Sequence, residues 1–259
     1  MNDPRIGRVG ANLEAFVVAV AETPVLQRAG VRDAVVYTSD VPFAMFNMVC
    51  AADFPPGRVT ERTGDLADLM TAHGLPWLWW QTPGHEPDPE ALTARGLHYE
   101  DVPGMYVELS GEVNQRRDLR IERATDAVAA AYMDVFLTGF QMPDFVREPM
   151  GELLMHAMDP DAFVHLLAWD DDVPVGCGTV FLHDGTAGIY NIAVPEQHRG
   201  RGIGYAVTAA LMNVGVAAGC TNAVLHASDM GKPIYERLGF EEVCQTPQWV
   251  WMPPEARGA

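Results

Sequence analysis

The sequence predicts an α/β chain of two halves with a similar rhythm. Three observations carry this. Short apolar runs bounded by turn residues alternate with longer segments of helical period along the whole chain. In the second half three such runs follow one another, joined only by turn-rich tips at 170–174 and 183–185. The last of these, 189–194, leads through a glycine-rich turn into a helix over 205–216.

The elements follow in order. In the first half a helix covers 11–28, strands follow at 34–37 and 44–49, and 63–73 reads as a helix. An aromatic strand spans 76–81, a short helix 88–94 and a last strand 105–109. The polar stretch 110–118 reads as a linker. The second half opens on an alternating strand at 119–124. Thr125 and Asp126 cap an Ala-rich helix over 126–138, a loop covers 139–149, and another helix lies near 150–158. Strands at 163–169, 175–182 and 189–194 precede the long helix. A strand at 223–228, a short helix at 231–238 and a strand after Phe240 complete the chain. The expected domains are therefore 1–112 and 118–259.

Composition narrows the function. Apolar residues make up 48% of 259, enough for folded cores, and no apolar stretch approaches a membrane span. The N-terminus, Met1-Asn2-Asp3-Pro4-Arg5, lacks the order of a signal peptide, so a cytoplasmic protein is expected. The formal charge of −18 argues against nucleic acid as a partner and is compatible with a cationic acceptor or with plain solubility. Each half carries −9, so charge does not distinguish them. Cys50, Cys177, Cys220 and Cys244 form no C-x-x-C pair, and no His or carboxylate spacing suits a metal, so none is expected.

Residues Arg199-Gly200-Arg201-Gly202-Ile203-Gly204 carry the chemistry. Glycines let a backbone turn sharply and approach a ligand, and amides at a helix start point at an anion favoured by the helix dipole. Arg199 and Arg201 add cationic donors. The spacing is neither a P-loop, which ends in Gly-Lys-Ser/Thr, nor the dinucleotide fingerprint. Alone, such a turn reads equally well as structural. About thirty residues on comes Tyr235-Glu236-Arg237-Leu238-Gly239-Phe240.

Together the two segments resemble the R/Q-x-x-G-x-G loop and the Tyr-x-x-Leu-Gly-Phe signature of the GNAT superfamily of N-acetyltransferases. The resemblance implies a GNAT-like, mostly antiparallel sheet flanked by helices, of α/β (α+β) class. It implies acetyl-CoA as co-substrate, its pyrophosphate held by residues 199–204. The strand 189–194 looks like the family's splayed strand. Ile192, Ala193 and Val194 would then pair with the pantetheine arm, and the Ala193 or Val194 N–H would face the thioester oxygen. Tyr235 is implied as general acid towards the leaving thiolate. Ser228 stands where the family often contacts the cofactor, and reads equally as a helix cap. Tyr190, Asn191 and His226 lie near the expected site, yet none is assigned as general base. Glu196 reads as a solvent-exposed turn residue.

The reaction implied is direct attack by a primary amine of a small molecule or peptide. A non-catalytic acyl-CoA sensor or interaction module is the alternative. A monomer is expected, a homodimer being the other arrangement. The first half looks like a degenerate copy: Gly96 falls opposite Gly239, Leu92 opposite Tyr235, and Pro55-Pro56-Gly57 replaces the glycine row. A GNAT domain with an unrelated N-terminal extension is the other reading. Trp77, Trp79 and Trp80 read as core, with a partner-binding surface as the lesser alternative.

Overall fold

The computed structural model describes residues 3–114 and 118–254. Met1, Asn2 and the linker residues 115–117 read above lie outside the described residues. In chain order the elements are α1 (Pro4–Ala21), β1 (Gln27–Arg28), β2 (Val35–Thr38), β3 (Met48–Cys50), α2 (Val59–Ala72), β4 (Trp77–Trp80), α3 (Pro89–Thr93), β5 (His98–Glu100) and β6 (Pro103–Glu108). There follow β7 (Arg120–Arg123), α4 (Ala129–Phe140), α5 (Arg147–Gly151) running into a π-helical turn (Glu152–Ala157), β8 (Phe163–Asp170) and β9 (Val173–His183). The chain ends with β10 (Thr186–Ala193), α6 (Ile203–Ala217), β11 (Asn222–His226), α7 (Lys232–Arg237), β12 (Glu241–Gln245) and β13 (Gln248–Trp251).

The class is mixed α/β, with antiparallel-dominated sheets flanked by helices. A seven-stranded sheet has the order β12-β6-β11-β10-β9-β8-β7, and a six-stranded sheet the order β1-β2-β3-β4-β13-β5. Only β10–β11 and β3–β4 are parallel among the registered pairs. The compact units are not two consecutive stretches. One comprises Met1–Asn12 and Gly104–Val243, the other Leu13–Pro103 and Cys244–Ala259. Thus β6, read from the sequence as the last strand of the first half, is bonded to β11, and β13 is bonded to β4 and β5.

Several local boundaries differ from the sequence expectation. Helix α1 starts at Pro4 rather than 11, because Val9, Leu13 and Val17 bury one face at helical spacing despite Gly7 and Gly10. Residues Ala44–Phe46 form a 3-10 turn, so of the expected strand 44–49 only Met48 and Val49 lie in a strand, β3, which continues to Cys50.

In the first unit, Val207 and Leu211 on α6 pack on Val180 of β9 and Ile189 of β10, all at most 3% exposed. In the second, register sets Trp79 opposite Trp249 and Trp77 opposite Trp251. These side chains belong to one core cluster, and Trp80 is buried too. The aromatic strand is therefore core, and the partner-surface alternative fails because these rings are covered within their own unit.

His165, on β8, is 8% exposed. Burial, reinforced by Arg123, pushes its pKa down to about 4 against a contact with the Leu154 carbonyl that raises it. The unfolded chain protonates this ring near its ordinary value, so its native environment is without cost above that value and costs increasingly more as pH falls towards about 4. Acidification from pH 7 to 5 should remove about 2 kcal/mol of stability through this one residue. Urea unfolding at pH 7 and pH 5 checks it, with His165→Asn, which cannot charge, expected to lose less stability over that interval. Equal losses in both proteins would exclude His165 as the cause.

Candidate active site

The site is built where β10 leaves its neighbours. Pairing of β10 with β11 runs from Thr186↔Asn222 to Ile189↔Leu225, while β10 itself continues to Ala193. On its other side, Tyr190↔Thr179 is followed by Ala193↔Cys177, so one extra residue is accommodated. That is a β-bulge. Asn191 lies in it with φ 58°, a left-handed conformation that Asn tolerates better than most side chains.

Beyond the bulge the chain passes through a 3-10 turn at Glu196–His198 to the glycine-rich loop. Gly202 caps α6 with φ 76° and ψ 13°, which is why glycine is needed there. Its carbonyl accepts from the Ala206 N–H at 3.1 Å. Helical geometry leaves the first amides of this 15-residue helix without intrahelical acceptors, and the dipole adds positive potential to them.

A cavity of about 520 Å³ joins these features. Ile192 and Val194 line one wall, and Arg199, Gly200, Gly202, Ile203 and Gly204 line the loop end. Ser228 and Tyr235 stand on a further wall with Met230, Gly231, Ile234 and Arg237, and Gly139, Phe140 and Gln141 arrive from the end of α4. Nine of the eleven residues expected from the sequence are thus brought together. Ala193 and Arg201 are not in the lining: Ala193 is 2% exposed, and Arg201 bonds Asp170 at 2.5 Å.

Arg199 behaves differently from its sequence expectation. Arg199 donates from Nε to the Val194 carbonyl at 3.1 Å and from Nη2 to the Gly139 carbonyl at 3.0 Å. It ties the end of β10 to the end of α4. Gly139 fits there because an added Cβ would fall 2.8 Å from Ala193 Cβ and 3.0 Å from the Val194 nitrogen. Ser228 Oγ accepts from the N–H of Gly231, the residue that precedes α7, at 3.2 Å, and Ser228 also lines the cavity.

Tyr235 is 8% exposed, and burial pushes its pKa up to about 12, so the phenol keeps its proton at neutral pH. Its ring meets Phe240 edge-on at 6.2 Å and lies so close to Gly231 that a Cβ there would be 2.7 Å from Cε2. Near the bulge, the Tyr190 hydroxyl donates to Asn12 Oδ1 at 2.9 Å and the Tyr190 ring lies 5.9 Å from that of His226. Burial pushes the His226 pKa down to about 3, which makes the ring neutral but a poor proton acceptor at neutral pH.

The wall residues from α4 and Met230 were not legible as cofactor contacts, because no local pattern marks them. The same holds for Tyr205, whose ring carries the Arg237 guanidinium at 5.4 Å.

Residues 126–240, which span the bulge, the loop and the Tyr235 helix, match the family described as Acetyltransferase (GNAT) family. This stretch, 115 of the 259 residues, is similar to the GNAT acetyltransferase family. A curated relative, "Uncharacterized N-acetyltransferase YjcF" of Bacillus subtilis (strain 168), is 29% identical over 76 residues. That match spans 29% of this chain and about half, 54%, of the relative's length. Among solved structures, the fold is similar to a GCN5-related N-acetyltransferase from Kribbella flavida. The TM-score is 0.69 at 17% identity, covering 93% of this chain and 94% of that one. It is also similar to a tandem GNAT protein from the clavulanic acid biosynthesis pathway, with TM-score 0.57 at 13% identity over 96% and 95% of the two chains. At these identities the likeness is one of fold.

Among the described residues, no helix is long and apolar enough to cross a membrane, and no group of three or more His, Cys, Asp or Glu is placed to hold a metal ion.

Proposed function

We propose that this chain is an acetyl-CoA-dependent N-acetyltransferase that acetylates a primary amine of a small molecule or peptide by direct attack. One observation carries the reading: a single cavity joins the glycine-capped start of α6 to the unpaired stretch of a bulged strand. The residues fit the co-substrate. Helix-start amides at 202–205 suit a pyrophosphate, and the open edge of β10 at Ile192 and Val194 suits the amides of a pantetheine arm. Acetyl-CoA supplies an activated thioester carbonyl. The Ala193 N–H faces the Cys177 thiol, which leaves the Val194 N–H as the donor for that carbonyl oxygen. Tyr235 offers its phenolic proton to the departing sulfur. Arg199 braces the strand end in this reading, and its phosphate role gives way to that of the backbone.

We also propose that 1–112 is a worn copy of 118–259, with β6 and β13 exchanged. In both units a left-handed residue follows the parallel pairing, Ala51 directly after Cys50 at φ 48° and Asn191 two residues after Ile189 at φ 58°. In the first copy Phe54 then packs edge-on against Trp79 at 6.1 Å, with the Arg62 guanidinium 5.9 Å from the Phe54 ring, where the second copy has its cavity wall. Calorimetry with acetyl-CoA should therefore give one site per chain, and thiol release should accompany at least one member of a panel of primary amines. Two equivalent sites would overturn the worn-copy reading. Binding without release by any amine would favour the sensor reading.

A further inference from the structure

The hydroxyl of Thr179, on β9, is fully buried directly behind the bulge and has three polar neighbours. His165 Nδ1 lies at 2.9 Å, Tyr132 Oη at 3.0 Å, and Asn191 Nδ2 at 3.3 Å. A threonine hydroxyl has one proton and two lone pairs, so these three contacts use its whole capacity. The Asn191 amide can only donate. Of His165 Nδ1 and Tyr132 Oη, one takes the Thr179 proton and the other donates into the remaining lone pair. Tyr132 is itself fully buried and stacks on Phe136 at 6.3 Å, so this anchor is rigid.

Asn191 is the member of this cluster whose backbone is strained and whose chain leads within three residues to Val194. A left-handed residue other than glycine is strained, Asn less than most, and it persists when its surroundings hold it. The bond from Asn191 to Thr179 is such a hold. We propose that Thr179 is a positioning residue: its hydroxyl fixes the β10 bulge through the Asn191 side chain, and so aims the Val194 N–H into the cavity. The role rests on the acetyl-CoA reading above and goes beyond it by naming what sets the donor's direction.

The test uses the full chain and acetyl-CoA labelled with carbon-13 at the carbonyl, with affinity from calorimetry and the bound carbonyl shift from NMR. In the unaltered protein the bound carbonyl should move downfield, as a hydrogen-bonded thioester does. Thr179→Val should bind within about twofold of the same affinity while losing roughly half or more of that shift, and Thr179→Ser should restore it. Asn191→Gly keeps the left-handed backbone and the buried cluster but removes the tether, and should lose the shift likewise. It also serves if Thr179→Val fails to fold. Absence of binding by the unaltered chain overturns the cofactor reading and the positioning role with it. Binding with no downfield shift, or an unchanged shift in Thr179→Val or Asn191→Gly, overturns the positioning role alone.

Discussion

Tyr235→Phe should lower amine-dependent thiol release from acetyl-CoA by roughly two to four powers of ten, the usual worth of a general acid, with little change in cofactor affinity. The substitution removes one oxygen and keeps the packing. The ring stays edge-on to Phe240 and against the bare Cα of Gly231. Because burial pushes the phenol's pKa to about 12, the proton is available through neutral and moderately alkaline pH, and any decline in rate below that range must come from another group. Single-turnover measurements with a reactive amine check the prediction under conditions where chemistry limits. Full turnover in the variant would make Tyr235 a wall residue only.

Gly202→Glu should abolish measurable acetyl-CoA binding. Two effects act together. The position has φ 76°, so any Cβ is strained there, and Gly202→Ala isolates that part. The Glu carboxylate adds a second effect: at a helix start it is itself favourable, and it takes up the amides that would otherwise receive phosphate. Losing two charge-assisted bonds of about 1.5 kcal/mol or more each weakens affinity by about a hundredfold or more. Far-UV circular dichroism should be unchanged. Comparable affinity in a folded Gly202→Glu protein would place the phosphates elsewhere.

The elements nearest the chemistry were readable because their signals are local. A glycine that must be left-handed, a helix that starts beside it, and a tyrosine one turn before Leu238-Gly239 all sit within short windows. What escaped depends on distant partners. Strand β5 exposes all three residues and exists because β13 lies beside it, well over a hundred residues later in the chain. The end of α4 became a cavity wall through the Arg199 bonds to Gly139 and Val194, a geometry that two arginines in a glycine-rich loop do not announce. Likewise Thr179 reads as one threonine in an apolar strand. Only the register that sets it beside Tyr190 and His165 reveals its cluster.

The placement of β13 between β4 and β5 has a consequence for biogenesis. The six-stranded sheet needs residues that the ribosome makes long after β4 and β5. Until Gln248–Trp251 is released, β4 and β5 have bare facing edges, and Trp77 and Trp79 lack the two tryptophans that cover them. Vectorial synthesis therefore cannot finish the N-terminal sheet first, as it does for chains whose domains follow one another. Closure waits on a very long-range contact, which slows folding and leaves aromatic edges open to the wrong partners meanwhile. A nonsense codon just ahead of Gln248 would spare every cavity residue and still leave the N-terminal sheet unfinished.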